Sequence, residues 1–309
     1  MPDMRALLRE AAGEDCILEQ ESMKKHTTFH IGGPADYFAA PTTAEGVRRI
    51  VKLCREMEYP FYVIGNGSNL LVSDQGYRGL VLQLYKNFSG IEISSRNRIQ
   101  AQSGAMLSVI AKRALEAGWI GFEFASGIPG TLGGAVVMNA GAYGGEMKDV
   151  LVSATVLNRE GELLEIPVSE LALGYRRSTV PANGWIVLGA SLALTDGNAE
   201  AIRARMEELK QQRVQKQPLE FPSAGSTFKR PEGFFAGKLI MDAGLRGYTV
   251  GGAQVSEKHC GFVVNRGGAT AGDVRKLIAD VRARVYEAFG VLLEPEIRML
   301  GTFAEEDCG

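Results

Sequence analysis

Apolar positions along this chain follow two rhythms that take turns. Val47, Ile50, Val51 and Cys54 stand at i, i+3, i+4 and i+7, which predicts a helix with one buried face, closed by Pro60. Phe61-Tyr62-Val63-Ile64 then reads as a short buried strand, and residues 79–84, 91–93 and 98–101 read as further strands. Leu107, Ile110, Ala111 and Ala114 predict a helix over about 106–117. Residues 126–145 keep neither period, and strands resume at 151–157, 162–166 and 185–194.

After Thr195-Asp196-Gly197 the pattern changes. Residues 200–217 form a highly charged helix that Pro218 and Pro222 terminate. A short helix is expected near 238–242 and strands near 250–255 and 262–264. Val274, Leu277, Ile278, Val281 and Val285 mark one face of a long helix over 272–289, and a final segment runs over 292–300. Helices and short strands in blocks predict an α+β fold rather than a doubly wound parallel sheet. Boundaries near 86 and 196 divide the chain into 1–86, 87–196 and 197–309.

Charge removes several function classes. The 34 Lys+Arg against 36 Asp+Glu leave a formal charge of −2, with no basic surplus for nucleic acid or an anionic membrane. Hydrophobic content of 45% and charged content of 23% fit a globular protein with a sizeable core. The four cysteines form no C-x-x-C pair, so neither a zinc ribbon nor a disulfide framework is indicated. No run approaches ~18 apolar residues, and the N-terminal segment reads as an amphipathic helix rather than a signal core, so a cytoplasmic protein without membrane insertion is expected.

Glycine is the outlier, 38 of 309 residues against an average of roughly 7%. Gly65-Asn66-Gly67-Ser68-Asn69-Leu70 follows the strand Phe61–Ile64; such a loop is either a tight turn or a nest of exposed N–H groups for an anion. A dinucleotide fingerprint would need a third Gly or Ala where Leu70 stands, and no Gly-x-x-x-x-Gly-Lys-Ser/Thr occurs. The second segment is Gly127-Ile128-Pro129-Gly130-Thr131-Leu132-Gly133-Gly134, continuing through Asn139 and Gly141 to Gly144. It is too apolar for a solvated linker, and Gly130 or Thr131 is placed to open a short helix whose free N–H groups face a phosphate. Two anion cradles without a Rossmann fingerprint suggest one extended diphosphate ligand.

Tyr62–Val72 together with Gly127–Gly134 resembles the FAD-binding pair of the UDP-N-acetylenolpyruvoylglucosamine reductases, the MurB enzymes. The resemblance spans nearly the whole chain. It includes His30-Ile31-Gly32-Gly33-Pro34-Ala35, Gly174-Tyr175-Arg176-Arg177-Ser178, Gln217-Pro218-Leu219 and Pro222–Pro231, then Ala236-Gly237-Lys238, Val255–His259 and Leu293–Arg298, in the family order. It implies the FAD-binding fold of the vanillyl-alcohol oxidase and p-cresol methylhydroxylase type. Residues 1–86 and 87–196 would be its two FAD-binding subdomains, and 197–309 the substrate-binding domain. The cofactor contacts it implies are Tyr62, Gly65, Asn66, Gly67, Ser68, Asn69, Leu70, Ser126, Gly127, Ile128, Pro129, Gly130, Thr131, Gly133, Gly134, Asn139 and Gly141.

The reaction implied is reduction of UDP-N-acetylglucosamine enolpyruvate to UDP-N-acetylmuramate, a peptidoglycan precursor, with NADPH as reductant. It calls for a group that stabilises an enolate-like dianion and an acid that protonates carbon. By resemblance Arg176 is the first, its guanidinium forking onto a carboxylate. Glu296 is implied as a neutral acid facing the substrate carboxylate, with Glu294 its rival on the same face of a predicted strand. Ser226 matches the proton donor, with Lys229 beside it; no Gly-x-Ser-x-Gly elbow makes it a hydrolase nucleophile. Tyr175, Arg213, Lys216 and Lys229 are implied in substrate binding, and a solvated helix face stays open for Arg213. The interval between Arg176 and Ser226 is short, as in the shorter subclass that lacks an inserted tyrosine-bearing loop.

His26 and His30 are four apart, but Thr27-Thr28-Phe29 between them favours a strand or turn, and no metal is expected. Ser68 and Asn69 stand where oxidase relatives carry the flavin-linked histidine, so non-covalent FAD is expected. The partners expected are the UDP-sugar and NADPH alone, with the chain as a monomer. An FAD-linked alcohol or sugar oxidase of the same fold is the alternative. A nucleotide-binding regulator would dispense with Arg176, Ser226 and Glu296 together.

Overall fold

The stripe Val47, Ile50, Val51, Cys54 is buried along the helix Ala44–Glu56, whose N-terminus is capped by Thr43 Oγ1 accepting the Gly46 N–H at 3.0 Å. The structure, a computed structural model, describes residues 4–13, 16–94 and 96–303. The chain divides into two compact units and passes between them repeatedly. One holds Met1–Leu18, Tyr37–Asn66 and Leu80–Arg213; the other holds Glu19–Asp36, Gly67–Gly79 and Val214–Gly309.

In the first unit an antiparallel five-stranded sheet runs in the order Leu163–Pro167, Leu151–Leu157, Ile186–Ala193, Arg98–Gln102, Ile91–Ser94. Strand alternation, shifted by a register irregularity between Val187 and Gly189, sends its apolar residues to opposite faces. Val187, Ala190 and Leu192 join Ile99 and Ala101 under the helices Leu107–Glu116 and Leu132–Val137. Ile186, Leu188 and Leu157 join the helix Ala44–Glu56 and Leu80, Leu82 and Leu84 in a second core. Phe61–Ile64 lies parallel to Leu80–Gln83, which delivers the chain to Gly65. Phe61–Ile64 and Tyr77–Gln83 also share a four-stranded sheet with Ile17–Ser22 and Pro34–Ala39. Sequence pattern misses those last two strands because Ile17–Ser22 exposes most of its side chains and has no apolar stripe to read.

The second unit carries the antiparallel order Ser223–Ser226, Phe262–Asn265, Ala253–Val255, Thr249–Val250. Helices Ala236–Asp242 and Ala271–Phe289 share its apolar core. The long helix begins at a capping box formed by Thr270 and Asp273, and the Asp74 carboxylate accepts from the Ala271 and Gly272 N–H groups at 2.9 and 3.0 Å. The strand expected over 250–255 is a hairpin instead. Gly251 and Gly252 turn the chain there, with Gly251 at φ +51° beside the Asp273 carboxylate, where a Cβ would stand 2.2 Å from an oxygen. The strand expected through Glu294 and Glu296 begins only at Arg298, running parallel to Leu70–Val72. Pro295 has no N–H to donate, and its contact is a single bridge to Phe228. The alternation argument for Glu294 and Glu296 fails with it.

Burial pushes the Cys54 thiol up to about 12, and Cys260 is buried as well; Cys308 lies outside the described residues. His259 sits where burial lowers its pKa, with the Gly261 N–H donating to Nδ1 at 3.1 Å and Phe262 edge-on at 5.0 Å. A folded-state pKa below the ordinary ~6.5 means that the unfolded chain takes up the proton first, so stability is lost as pH falls below that value. Urea unfolding at about pH 7.5 and about pH 5 is expected to show a larger loss for the native chain than for His259→Gln. Equal losses would remove His259 as a source of acid sensitivity.

Candidate functional site

The two glycine-rich segments meet inside the first unit. A Cβ on Gly65 would stand 2.1 Å from Thr131 Oγ1, so only glycine allows the approach. Asn66 Nδ2 donates to the Pro129 carbonyl at 2.9 Å, and Gln83 Nε2 to the Gly65 carbonyl at 3.1 Å. The second segment is docked in turn on residues 103–107. Leu107 N–H donates to Gly130 O, Leu132 N–H to Ala105 O and Gly133 N–H to Ser103 O, at 2.8–3.1 Å. The helix Leu132–Val137 does open after Thr131, but its Leu132 and Gly133 amides are engaged by these carbonyls and are not free for a phosphate.

Other donors remain. Among the described residues, the N–H groups of Gly65, Asn66, Gly130 and Thr131 donate to no acceptor. Gly134 is exposed, and a Cβ there would meet nothing nearer than Thr131 Oγ1 at 3.9 Å. Ser103 Oγ is buried without a partner. Unengaged amides around an open glycine suit a diphosphate, whose oxygens need donors and close main-chain approach. The residues present therefore fit the pyrophosphate of FAD.

The remaining residues of the first segment lie in the second unit. Gly67 (φ +63°) is pressed on residues 26–27, where a Cβ would stand 2.1 Å from the His26 carbonyl. Ser68 is half-buried, and Leu70 is buried at the start of Leu70–Val72. Asn69 donates from Nδ2 to the Glu296 carbonyl at 3.2 Å and accepts the Arg298 N–H on its own carbonyl at 2.9 Å. Expected on the cofactor, its side chain here holds the Pro-Glu-Ile-Arg segment. His26 Nε2 pairs with Glu21 Oε1 at 3.0 Å.

In the first unit, Ser126 donates from Oγ to Glu123 O at 2.8 Å, and Ile128 N–H donates to Ala125 O. Arg213 lies across Gly127, its Cδ 3.2 Å from where a Cβ would be. Burial lowers the Arg213 pKa, opposed by Tyr143. Lys216 is exposed at the end of the helix Ala199–Lys216, and Tyr62 is half-buried. A separate cavity of about 510 Å³ on the five-stranded sheet, lined by Glu92, Gln100, Gln102, Ser153 and Glu165, includes none of the expected site residues.

Arg176 occupies a tight turn in the first unit. Gly174 and Arg177 exchange main-chain hydrogen bonds at 3.1 and 3.2 Å, with Tyr175 and Arg176 between them. Arg176 has φ +54°, a left-handed conformation costing a side-chain-bearing residue roughly 1–2 kcal/mol. Its Nη2 donates to Gly141 O at 3.2 Å, and its Cζ lies 5.1 Å from the centre of the exposed Tyr175 ring.

Ser226, Lys229 and Glu296 come together in the second unit through main chain. Ser226 is exposed at the end of Ser223–Ser226, while Thr227 beside it is buried. Thr227 N–H donates to Gly261 O, Thr227 Oγ1 accepts the Val263 N–H, and Thr227 O accepts the Glu296 N–H at 2.8 Å. Lys229 N–H donates to Glu294 O, and Lys229 Nζ pairs with Glu294 Oε1. The local rival thus belongs to the lysine, while half-buried Glu296 follows the bridge.

Residues 35–167 match the FAD binding domain family, and residues 217–300 match the C-terminal domain of UDP-N-acetylenolpyruvoylglucosamine reductase. The UDP-N-acetylenolpyruvoylglucosamine reductase of Agathobacter rectalis is 57% identical over 298 residues, covering 93% of this chain and 95% of that one. The chain belongs to the UDP-N-acetylenolpyruvoylglucosamine reductase family, MurB. A second MurB relative, from Clostridioides difficile, is 52% identical with 96% of each chain covered. The MurB crystal structure from Thermus caldophilus superimposes with a TM-score of 0.78 at 37% identity, covering 92% of this chain and 98% of that one. Phl p 4.0202, a glucose dehydrogenase, shares the fold alone, with a TM-score of 0.51 at 14% identity over 62% of this chain and 43% of that one. The protein is an FAD-dependent oxidoreductase of α+β fold. Among the described residues, no helix is long and apolar enough to cross a membrane.

The Gly65 contact is directly testable. Gly65→Ala is expected to weaken FAD retention by ~10-fold or more, and Thr131→Ala added to it is expected to recover part of that, because it removes the oxygen the new methyl would strike. Flavin titration of the single and double variants checks this. Independent, additive losses would mean that the approach does not shape the site.

Proposed function

We propose that this MurB-family chain reduces the enolpyruvyl group of UDP-N-acetylglucosamine enolpyruvate to the lactyl ether of UDP-N-acetylmuramate, a step in peptidoglycan precursor synthesis, with NADPH as reductant. Bound FAD, held non-covalently, supplies a hydride relay from the nicotinamide to the terminal carbon of the enolpyruvyl double bond. Gly65, Asn66, Gly130 and Thr131 would hold its pyrophosphate through their N–H groups. The domains are read as 1–86 and 87–196 for FAD and 197–309 for substrate, and the chain as a cytoplasmic monomer.

Hydride addition leaves an electron pair on the adjacent carbon, delocalised into the carboxylate as an enolate-like dianion. Arg176, always cationic, binds that carboxylate and takes up its growing charge. A neutral Glu296 carboxyl donates to the same oxygens, its proton held by burial against the substrate anion. Ser226 Oγ gives its proton to the carbon, forming the second C–H bond, and the resulting alkoxide recovers a proton from solvent; Lys229 lowers the cost of that alkoxide by its charge. Tyr175, Arg213 and Lys216 contact the nucleotide sugar. NADPH, lacking a glycine fingerprint of its own, shares the substrate pocket in turn.

The observation that carries this reading is the 2.8 Å hydrogen bond from Glu296 N–H to Thr227 O, which sets the main chains of Ser226 and Glu296 side by side in the second unit. Anaerobic spectroscopy tests it. The purified protein is expected to be yellow, bleached by NADPH and recoloured by UDP-N-acetylglucosamine enolpyruvate. Ser226→Ala is expected to keep the bleaching and slow the recolouring by ~10²–10⁴-fold. Equal loss in both half-reactions refutes the proton-donor role, and bleaching by an alcohol with fast reaction toward O₂ favours an oxidase.

A further inference from the structure

Asn139 interrupts an apolar run, Ala135-Val136-Val137-Met138, and is entirely buried. A buried carboxamide needs partners for its oxygen and for both N–H groups. Here the oxygen accepts the Lys148 N–H at 2.9 Å, while Nδ2 donates to Glu146 Oε2 at 2.7 Å and to the Gly174 carbonyl at 3.2 Å. The side chain expected on the cofactor is therefore committed within the first unit, and one of its bonds lands on the first residue of the Arg176 turn.

That turn has reason to relax. Arg176 is held at φ +54°, and a Cβ on Gly174 would stand 2.5 Å from the Arg177 Nε, so that side chain would have to shift. The two main-chain bonds between Gly174 and Arg177 close the turn, and Thr179 N–H to Leu171 O and Arg176 Nη2 to Gly141 O tie it to its surroundings. Two further side-chain bonds hold its flanks. Ser178 Oγ donates to Val137 O at 2.6 Å, and the Asn139 amide donates to Gly174 O. Asn139 itself sits at φ +45°, a conformation that asparagine tolerates better than other side-chain-bearing residues. The Glu146 carboxylate orients its amide, and the N–H of neighbouring Lys148 fixes its oxygen.

We propose that Asn139 is a positioning residue for Arg176: its buried amide holds the strained Gly174–Arg177 turn so that the guanidinium stays aimed at the substrate carboxylate. The proposal rests on the role given to Arg176 above. Asn139→Asp keeps the shape and an acceptor for Lys148 N–H, removes the donor to Gly174 and sets a charge against Glu146. FAD content, visible spectrum and reduction by NADPH are expected to stay within about threefold of the native chain, while reoxidation by UDP-N-acetylglucosamine enolpyruvate slows by ~10–10²-fold. The deciding measurement is a double-mutant cycle on that reoxidation rate. In an Arg176→Lys background, Asn139→Asp is expected to cost less than about threefold, because the group it positions is already gone.

Asn139→Ser, which also lacks the amide, takes its place in the cycle should the aspartate variant fail to fold. Additive losses would reduce Asn139 to a general stabilising residue, and loss of FAD with reoxidation intact would return it to the cofactor; either overturns the proposal. A native chain whose reduced flavin ignores the enolpyruvyl substrate overturns the functional reading itself, and the proposal with it. Native turnover with an additive cycle overturns the positioning role alone.

Discussion

The structure depends on main chain brought against neighbouring residues at glycine positions where a side chain would not fit. Gly65 against Thr131 and Gly133 against Ser103 in the first unit, and Gly67 against His26 in the second, all leave less than 3 Å for a Cβ. Such contacts do two things at once. They fix loops that have no regular hydrogen-bonded ladder, and they leave the N–H groups of Gly65, Asn66, Gly130 and Thr131 unengaged. A solvated loop of the same composition would lose those donors to water and the fixed spacing to motion.

The same economy governs the side chains proposed to react. Neither Arg176 nor Glu296 is positioned through its own side chain alone. Arg176 stands on a turn that Asn139 and Ser178 tie down, and Glu296 stands on a segment that Asn69, Thr227 and the Phe228–Pro295 bridge tie down. Both asparagines come from the glycine-rich segments, so each of these segments also supports the stretch that carries a proposed catalytic residue within its own unit. Side-chain amides suit the task because each can hold a donor and an acceptor in fixed directions, and for the buried Asn139 a lost partner is costly.

Much of the fold was open to reading from residues alone. The helices over Val47–Cys54, Leu107–Ala114 and Val274–Val285 each bury one stripe, and a stripe is a local pattern that needs no knowledge of its partner. The motifs carrying Arg176, Ser226 and Glu296 likewise pointed to the family in which the chain is found. Less legible were the strands Ile17–Ser22 and Pro34–Ala39, which carry no clean alternating apolar stripe, and the segment around Pro295, where alternation suggested a strand that the missing N–H interrupts. Asn139 and Asn69 carried a weak signal: a polar residue among apolar or glycine neighbours must find partners if it is buried, but the sequence does not say which ones.

Residue type and short spacing were enough to define the periodic elements and the family, because each of these is a local property of the chain. Three-dimensional packing settled which of the loop amides are engaged and which are free, that Lys229 pairs with Glu294, and that the side chains of Asn69 and Asn139 bond to main-chain carbonyls. The reason is physical. A hydrogen bond between residues 35 or 227 positions apart is set by where the fold brings two backbones, and nothing in the local rhythm of the chain encodes that meeting.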